Sequence, residues 1–349
     1  MKKIIKILLT IAFVFTFLYL LQRLLMPKYM DSLNEGAMIA EYYDTEKFHD
    51  VIFFGDCEVY ETYSPCILWD NYGISSYVRG SSQQLMWQTY YLIEDTLRYE
   101  TPDVILVNVL SMRFSEPQNE AYNRMTIDGM RFSSSKINSI LVSMLPDENI
   151  WEYLFPILRY HDRYSELTSE DIDYLFTRDN VTFAGYMPFA GIQGVDTLPA
   201  VKPLADYSFG ELPMKYLQMI ADLCKEKDIQ LILVKTPSVF PHWYDEWEQQ
   251  IVDFADRNGV SYVSLLNASD VIGIDYQMDT YDAGMHVNIY GAEKCSDYIG
   301  NILSTEYGIE DHRGQEIYDN YWNPLTEQYY QTTSMMWEEW YESQENNIE

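Results

Sequence analysis

Cys57 is the side chain in this sequence best placed to do chemistry. Val51, Ile52, Phe53 and Phe54 run into Gly55-Asp56-Cys57, and a helical stretch follows. Four apolar residues of this kind read as a buried parallel strand that ends in a sharp turn at the carboxyl edge of a sheet. Ligands of open α/β sheets gather at that edge. The side chain offered there is a thiol, and a thiol that loses its proton attacks acyl groups. The other reading is structural: Cys57 as a small turn residue, or bridged to Cys66. Cys224 and Cys295 fall on the apolar faces of expected helices. A redox role for Cys57 and Cys66 is opposed by their nine-residue spacing, which is not Cys-x-x-Cys.

Histidine is scarce, with five in 349 residues. His49, His242 and His312 are scattered and show no metal-ligand spacing. His286 lies just before a C-terminal helix, in Asp282-Ala-Gly-Met-His286-Val-Asn288. His161 lies in Arg159-Tyr-His161-Asp-Arg163, which reads either as a salt-bridged helix surface or as a site for a polar or anionic substrate group. Arg79 and Gln83 flank the expected edge of the pocket and are candidates to touch substrate. No glycine-rich phosphate loop and no dinucleotide fingerprint occur, so no cofactor is implied.

The elements that must position these residues follow from pattern. Hydrophobic residues make up 47% of the chain, enough for a real core. The net charge is -31, and Lys2, Lys3, Lys6, Arg23 and Lys28 all precede the first acidic residue, Asp31. The remainder is more acidic still, which argues against nucleic-acid binding, because phosphate contacts need clustered Lys and Arg. Ile4 to Leu21 is apolar apart from Lys6, and no small-residue cleavage site follows it. Residues 1–30 therefore read as a signal anchor. The lysines before the span hold the N-terminus in the cytoplasm and leave the main domain outside, single-pass.

Strands are expected at Val51–Phe54, Ser75–Arg79, Val104–Leu110, Gln230–Val234 and Ser261–Leu266, with helices between them. The fold class is α/β: a three-layer α/β/α sandwich with a mostly parallel five-stranded sheet. Residues 31–112 and 206–305 form this domain. Residues 113–205, irregular and rich in Tyr, Asn and Ser, read as a cap-like insertion. Residues 306–349 are an acidic, aromatic extension, either packed on the domain or facing carbohydrate, with the last ten residues expected to be disordered.

Gly55-Asp56-Cys57, Gly80, Asn108 and Asp282-x-x-x-His286 occur in an order that resembles the SGNH (GDSL-like) hydrolase family. The resemblance covers residues 51–112 and 206–303. With the anchor it extends to a membrane-anchored, extracytoplasmic subset that includes teichoic acid D-alanyl transfer and alginate O-acetylation proteins. It implies an esterase or O-acyltransferase acting on acyl esters of a cell-envelope polysaccharide or related polymer, with an integral membrane O-acyltransferase as a partner. Cys57 would attack the carbonyl, His286 would take its proton, and Asp282 would hold the imidazole. The Cys57 and Gly80 N–H groups and the Asn108 amide would form the oxyanion hole. Two departures stand: Cys replaces the family's Ser, and four positions rather than three separate Asp282 from His286. Asp279 is thus a second candidate for the orienting carboxylate. The alternative function is a catalytically silent scaffold of the same fold that binds glycan.

Overall fold

The computed structural model describes residues 2–26, 36–173, 175–176, 180–198 and 200–346. The first element, α1 (Lys2–Leu25), is a 24-residue helix. At ~1.5 Å per residue it is about 36 Å long. It is long and apolar enough to cross a membrane, and its apolar length is exposed rather than packed in the protein. Its carboxyl end meets the segment between the third and fourth strands, where Arg163 Nη1 donates to the Leu25 carbonyl at 2.9 Å.

Five strands form one sheet: β1 (Val51–Gly55), β2 (Ser76–Gly80), β3 (Val104–Asn108), β4 (Gln230–Lys235) and β5 (Ser261–Ser264). All pairs are parallel, in the order β2-β1-β3-β4-β5. β1, β2 and β3 are buried on both faces, which is why β1 and β3 read as continuous apolar runs rather than as alternating ones. Seven further helices matter here: α2 (Cys57–Thr62), α3 (Pro65–Tyr72), α4 (Met86–Thr96), α5 (Glu211–Glu226), α6 (Asp245–Asn258), α7 (Ile289–Thr305) and α8 (Glu316–Asn346).

Side-chain alternation along the strands sorts the core into two layers. Ile52, Phe54, Ile105, Val107 and Leu233 meet Leu92, Leu217, Ile220, Ile251 and Phe254 of α4, α5 and α6 on one face. Val51, Phe53, Leu106, Ile232 and Val234 meet Val59, Leu68, Cys295, Ile299 and Leu303 of α2, α3 and α7 on the other. The protein is thus an α/β/α sandwich with a wholly parallel sheet. The chain leaves β1 toward β2 on one side and returns to β3 on the other. A crevice opens where two such crossovers diverge, at the carboxyl ends of β1 and β3.

β3 stops at Asn108, two residues earlier than its apolar run suggests. Val109 turns (φ −97°, ψ −1°) and a 3-10 turn over Leu110–Arg113 follows. That turn carries Leu110 and Arg113 over the crevice instead of extending the sheet. The long connection that begins there forms helices at Glu120–Ile127 and Ser134–Ser143. They cover α4, with Trp87 Nε1 donating to Ser143 Oγ at 3.1 Å. The connection then returns to the open edge of β2, where Val78 N donates to the Ala184 carbonyl at 2.9 Å. Gly185 (φ +88°) makes that approach feasible, because a Cβ would lie 1.8 Å from the Val78 oxygen. An edge covered in this way cannot template pairing with another chain.

The acidic tail is one helix, α8, which continues to Asn346, so the disorder expected for its last ten residues is not found over 340–346. Trp322, Tyr329 and Trp337 face inward, while Tyr330 and Tyr341 are exposed. Trp322 is fully buried, stacks on Trp69 at 6.0 Å and donates from Nε1 to Ser75 Oγ at 3.1 Å. Trp69 in turn donates to Asn323 Oδ1 at 2.9 Å. Trp322→Ala should cost ~3–5 kcal/mol of stability, the range for deleting a buried aromatic. Tyr341→Ala, at an exposed position, should change stability by less than ~0.5 kcal/mol. Denaturant titration of the detergent-solubilised protein distinguishes the two, and equal small losses would show that α8 is not part of the core.

Candidate active site

The turn after β1 places Cys57 as the first residue of α2, with Asp56 in extended conformation before it. Gly55 is required by close packing, since a Cβ there would lie 2.5 Å from Val59 Cγ2 and 2.8 Å from Asn108 Cβ. Cys57 Sγ lies 3.1 Å from His286 Nε2. On the far side of the ring, Nδ1 lies 2.6 Å from Asp282 Oδ2. The other oxygen of Asp282 accepts the His286 backbone N–H at 2.8 Å. The four-residue spacing works because Ala283 (φ +61°) and Gly284 (φ +92°) both take left-handed conformations. They fold the loop back so that Asp282 holds backbone and side chain of the same histidine. The Val239 and Phe240 N–H groups pin the loop by donating to the Gly284 carbonyl at 2.9 and 3.2 Å. Asp279, the other candidate carboxylate, is engaged elsewhere: it pairs with Lys294 and accepts from Asp275 N at 2.7 Å.

The pattern reading missed a second carboxylate beside the imidazole. Glu61 Oε2 lies 3.6 Å from His286 Nδ1 and accepts from the Tyr281 hydroxyl at 2.6 Å. Tyr281 stacks on the imidazole at 6.1 Å and against Phe189 at 4.9 Å, which sets the plane of the ring. The signal was present in the sequence, because Glu61 follows Cys57 by four residues and that spacing puts both on one face of a helix. Burial pushes the Glu61 carboxyl up to about 7.

Beneath the turn at Cys57 lies a buried polar knot. Glu58 accepts from Lys235 Nζ at 3.1 Å, from Asn108 Nδ2 at 2.9 Å, and from the hydroxyls of Thr236 and Ser238. Burial pushes its carboxyl up, but Lys235 and these donors outweigh it and hold it below the usual range. Asp56 accepts the other Asn108 amide hydrogen at 3.0 Å. Burial and the neighbouring Glu58 push Asp56 up to about 6.

This knot corrects the expected oxyanion hole. Both hydrogens of the Asn108 amide are spent on carboxylates, so the amide has none to offer a substrate. Gly80 ends β2 against Gly55, and a Cβ there would lie 3.2 Å from the Gly55 oxygen. Neither residue lines the cavity at Cys57. Gln83 does, in a left-handed conformation (φ +50°) rare outside glycine. The backbone N–H groups of Gln83 and Cys57 have no acceptor among the described residues. Arg79 is another correction. It is fully buried, donates to Thr96 Oγ1 at 2.8 Å and lies over the Tyr42 ring at 4.0 Å, because strand alternation turns it away from the crevice. His161 is exposed and contacts the Leu158 carbonyl at 3.0 Å, in the region that meets α1.

The cavity holds about 330 Å³. Cys57, His286, Gln83, Arg113 and Tyr122 bring polar groups to it, and Leu110, Phe240, Pro241 and Met285 make its apolar wall. Its size fits a short acyl group. A larger hollow of about 580 Å³, between α6, β5 and α7, has no thiol or imidazole in its lining. All four cysteines are unpaired.

Burial pushes the Cys57 thiol up to about 11, with the His286 hydrogen bond pulling the other way. Burial alone would lower His286, but Asp282, Cys57 and Glu61 together raise it to about 12. Burial thus favours the protonated thiol, and the surrounding carboxylates favour the protonated imidazole. A thiol reacts more slowly than a thiolate, and raising the pH removes its proton.

No protein-family model matches the sequence, and no curated protein does. Among solved structures the chain is similar to a GDSL-like lipase from Bacteroides thetaiotaomicron VPI-5482. The identity is 11%, the TM-score 0.35, and the match covers 78% of this chain and 100% of that one.

Alkylation of Cys57 by iodoacetamide, followed by peptide mass spectrometry, should accelerate with pH to a midpoint above the ~8.5 of a free thiol. His286→Ala removes the bond that lowers the thiol and should move the midpoint further up. Glu61→Gln removes a carboxylate that raises it and should move it down. A midpoint below about 7 in the wild type would mean a resting thiolate and contradict the assignment.

Proposed function

We propose that the protein is an esterase or O-acyltransferase in which Cys57, His286 and Asp282 act together. The observation that carries this reading is the continuous line from sulfur to imidazole to carboxylate, 3.1 and 2.6 Å per step, ending at the small cavity. Once the thiol has lost its proton, the sulfur attacks the ester carbonyl and a C–S bond forms. The carbonyl electron pair moves to oxygen, which the N–H groups of Cys57 and Gln83 receive. Collapse breaks the ester C–O bond, and His286 hands its proton to the departing alcohol. Water or an acceptor hydroxyl then attacks the thioester while His286 takes its proton, and the thiol is restored. Asp282 keeps the imidazole oriented and balances its charge throughout.

The apolar helix α1 supports an anchored location. With its lysines on the cytoplasmic side, the helix anchors the α/β domain outside the membrane. There an acylated cell-envelope polysaccharide or related polymer would be the substrate, and an integral membrane O-acyltransferase would be a partner that supplies or receives acyl groups. A second reading, the catalytically silent scaffold, draws support from the raised thiol and the occupied Asn108 amide. Its glycan surface cannot be built from the inward-facing Trp322 and Tyr329.

The full-length protein in detergent, given p-nitrophenyl acetate at pH 8.5–9.5, should turn over and show an acetyl adduct by intact mass. Cys57→Ala should abolish both. His286→Ala should slow acylation by ~100-fold or more, the typical contribution of a positioned general base. Absence of turnover and adduct with acetyl, propionyl and succinyl donors would favour the scaffold.

A further inference from the structure

Arg113 is the cation that the proposed acyl chemistry does not use. It closes the 3-10 turn Leu110–Arg113, by which β3 leaves the sheet at the crevice. Its side chain lines the same cavity as Cys57 and His286. Its Nε is buried and has no hydrogen-bond partner, and no carboxylate pairs with it among the described residues. Its ring contact is with its own neighbour, Phe114, at 4.5 Å. Arg98 and Arg257 also lack a carboxylate within ion-pair distance among the described residues, but neither lines the cavity, and six other arginines show the contrast. Arg79, Arg124, Arg131, Arg159, Arg163 and Arg313 all lie within ion-pair distance of an Asp or Glu.

The carboxylates that line the cavity, and Asp282 behind His286, are already engaged. Glu58 pairs with Lys235, Asp56 accepts from Asn108, Glu61 accepts from Tyr281, and Asp282 holds His286. Arg113 acts on Asp56 through its field, which pulls that carboxyl downward, while its donors stay free. A guanidinium presents five N–H groups in a rigid fork that matches a carboxylate two bonds at a time. Tyr122 lines the same cavity, and its hydroxyl too has no partner among the described residues.

We infer that the cavity takes acyl esters that carry a carboxylate, and that Arg113 with Tyr122 receives that group. This rests on the acyl-transfer reading for the word ester, but the subsite can be tested without turnover. The charge can sit on the acyl side or on the alcohol side of the ester, and two probe pairs separate these. Monomethyl succinate against dimethyl succinate tests the acyl side. O-acetylglycolate against its methyl ester tests the alcohol side.

Calorimetric titration uses full-length Cys57→Ala protein in detergent, so that no probe is consumed. It is repeated with Arg113→Gln and Arg113→Lys added, each checked by its thermal melt. One charged probe should bind at least ~10-fold more tightly than its neutral partner, as a charge-assisted bond to a planar cation gives. The advantage should shrink with added salt, vanish in Arg113→Gln and persist in part in Arg113→Lys. Equal affinity within both pairs, no binding of either charged probe, or a preference that survives Arg113→Gln would overturn the proposal. If Arg113 only steadied Asp56, Arg113→Gln would shift the pH profile of Cys57 alkylation and leave the affinity ratios untouched, which also overturns it. A carboxylate preference in a protein that never acylates would keep the subsite and sink the esterase reading. Turnover of neutral esters without the preference would do the reverse.

Discussion

The ion pair between Glu58 and Lys235 is the constraint on which the rest of the site depends. It lies under the turn at Cys57 and ties the start of α2 to the end of β4, with Asn108 joining it to the end of β3. A buried carboxylate is tolerable only when charge and hydrogen bonds repay its lost hydration. Glu58 meets that demand with a lysine, an amide and two hydroxyls. The three strand ends therefore cannot drift independently, and the cavity above them has a fixed floor. The same demand consumes both hydrogens of Asn108. Support of the floor and donation to a substrate oxygen compete for one amide, and in this structure support wins.

That competition also marks how far the sequence could be read. β1, β3 and β4 were legible because their apolar runs are short, rich in strand-forming residues and bounded by turn signals, whereas β2 and β5 were placed by the alternation of strands with helices around them. The pairing of Cys57 with His286 was expected from the SGNH resemblance, which left Asp279 and Asp282 both open; the loop fold brings Asp282 to the ring. The left-handed pair Ala283-Gly284 was half legible, since glycine advertises the turn and alanine conceals it. The partner choices of Asn108 and Arg79 were not legible. Each could face the crevice or the interior, and the decision lies with side chains distant in sequence: Glu58 for one, Tyr42 and Thr96 for the other. Glu61 was readable from helix spacing once Cys57 was suspected. The inward turn of α8 was hidden because aromatic residues suit a core and a glycan surface equally well.

The electrostatics of the site are those of a buried acid cluster. Asp56 and Glu61 are both raised by burial, and the imidazole is raised by the carboxylates around it. The outcome is a histidine that holds its proton tightly and a thiol that is reluctant to lose its own. A raised thiol lowers the fraction of thiolate, the form that reacts with peroxide, disulfides and acyl groups.

The contact between Arg163 and the Leu25 carbonyl has a consequence for reach. A catalytic domain on a slack leash samples every height above the lipid that its leash permits. A domain gripped at the root of its anchor behaves as a strut, with tilt and height set by the molecule. If α1 stands across a bilayer, the mouth of the cavity keeps one altitude, and a polymer must present its ester at that altitude to be touched. Selection would then act on where along a chain the group is carried as well as on what the group is.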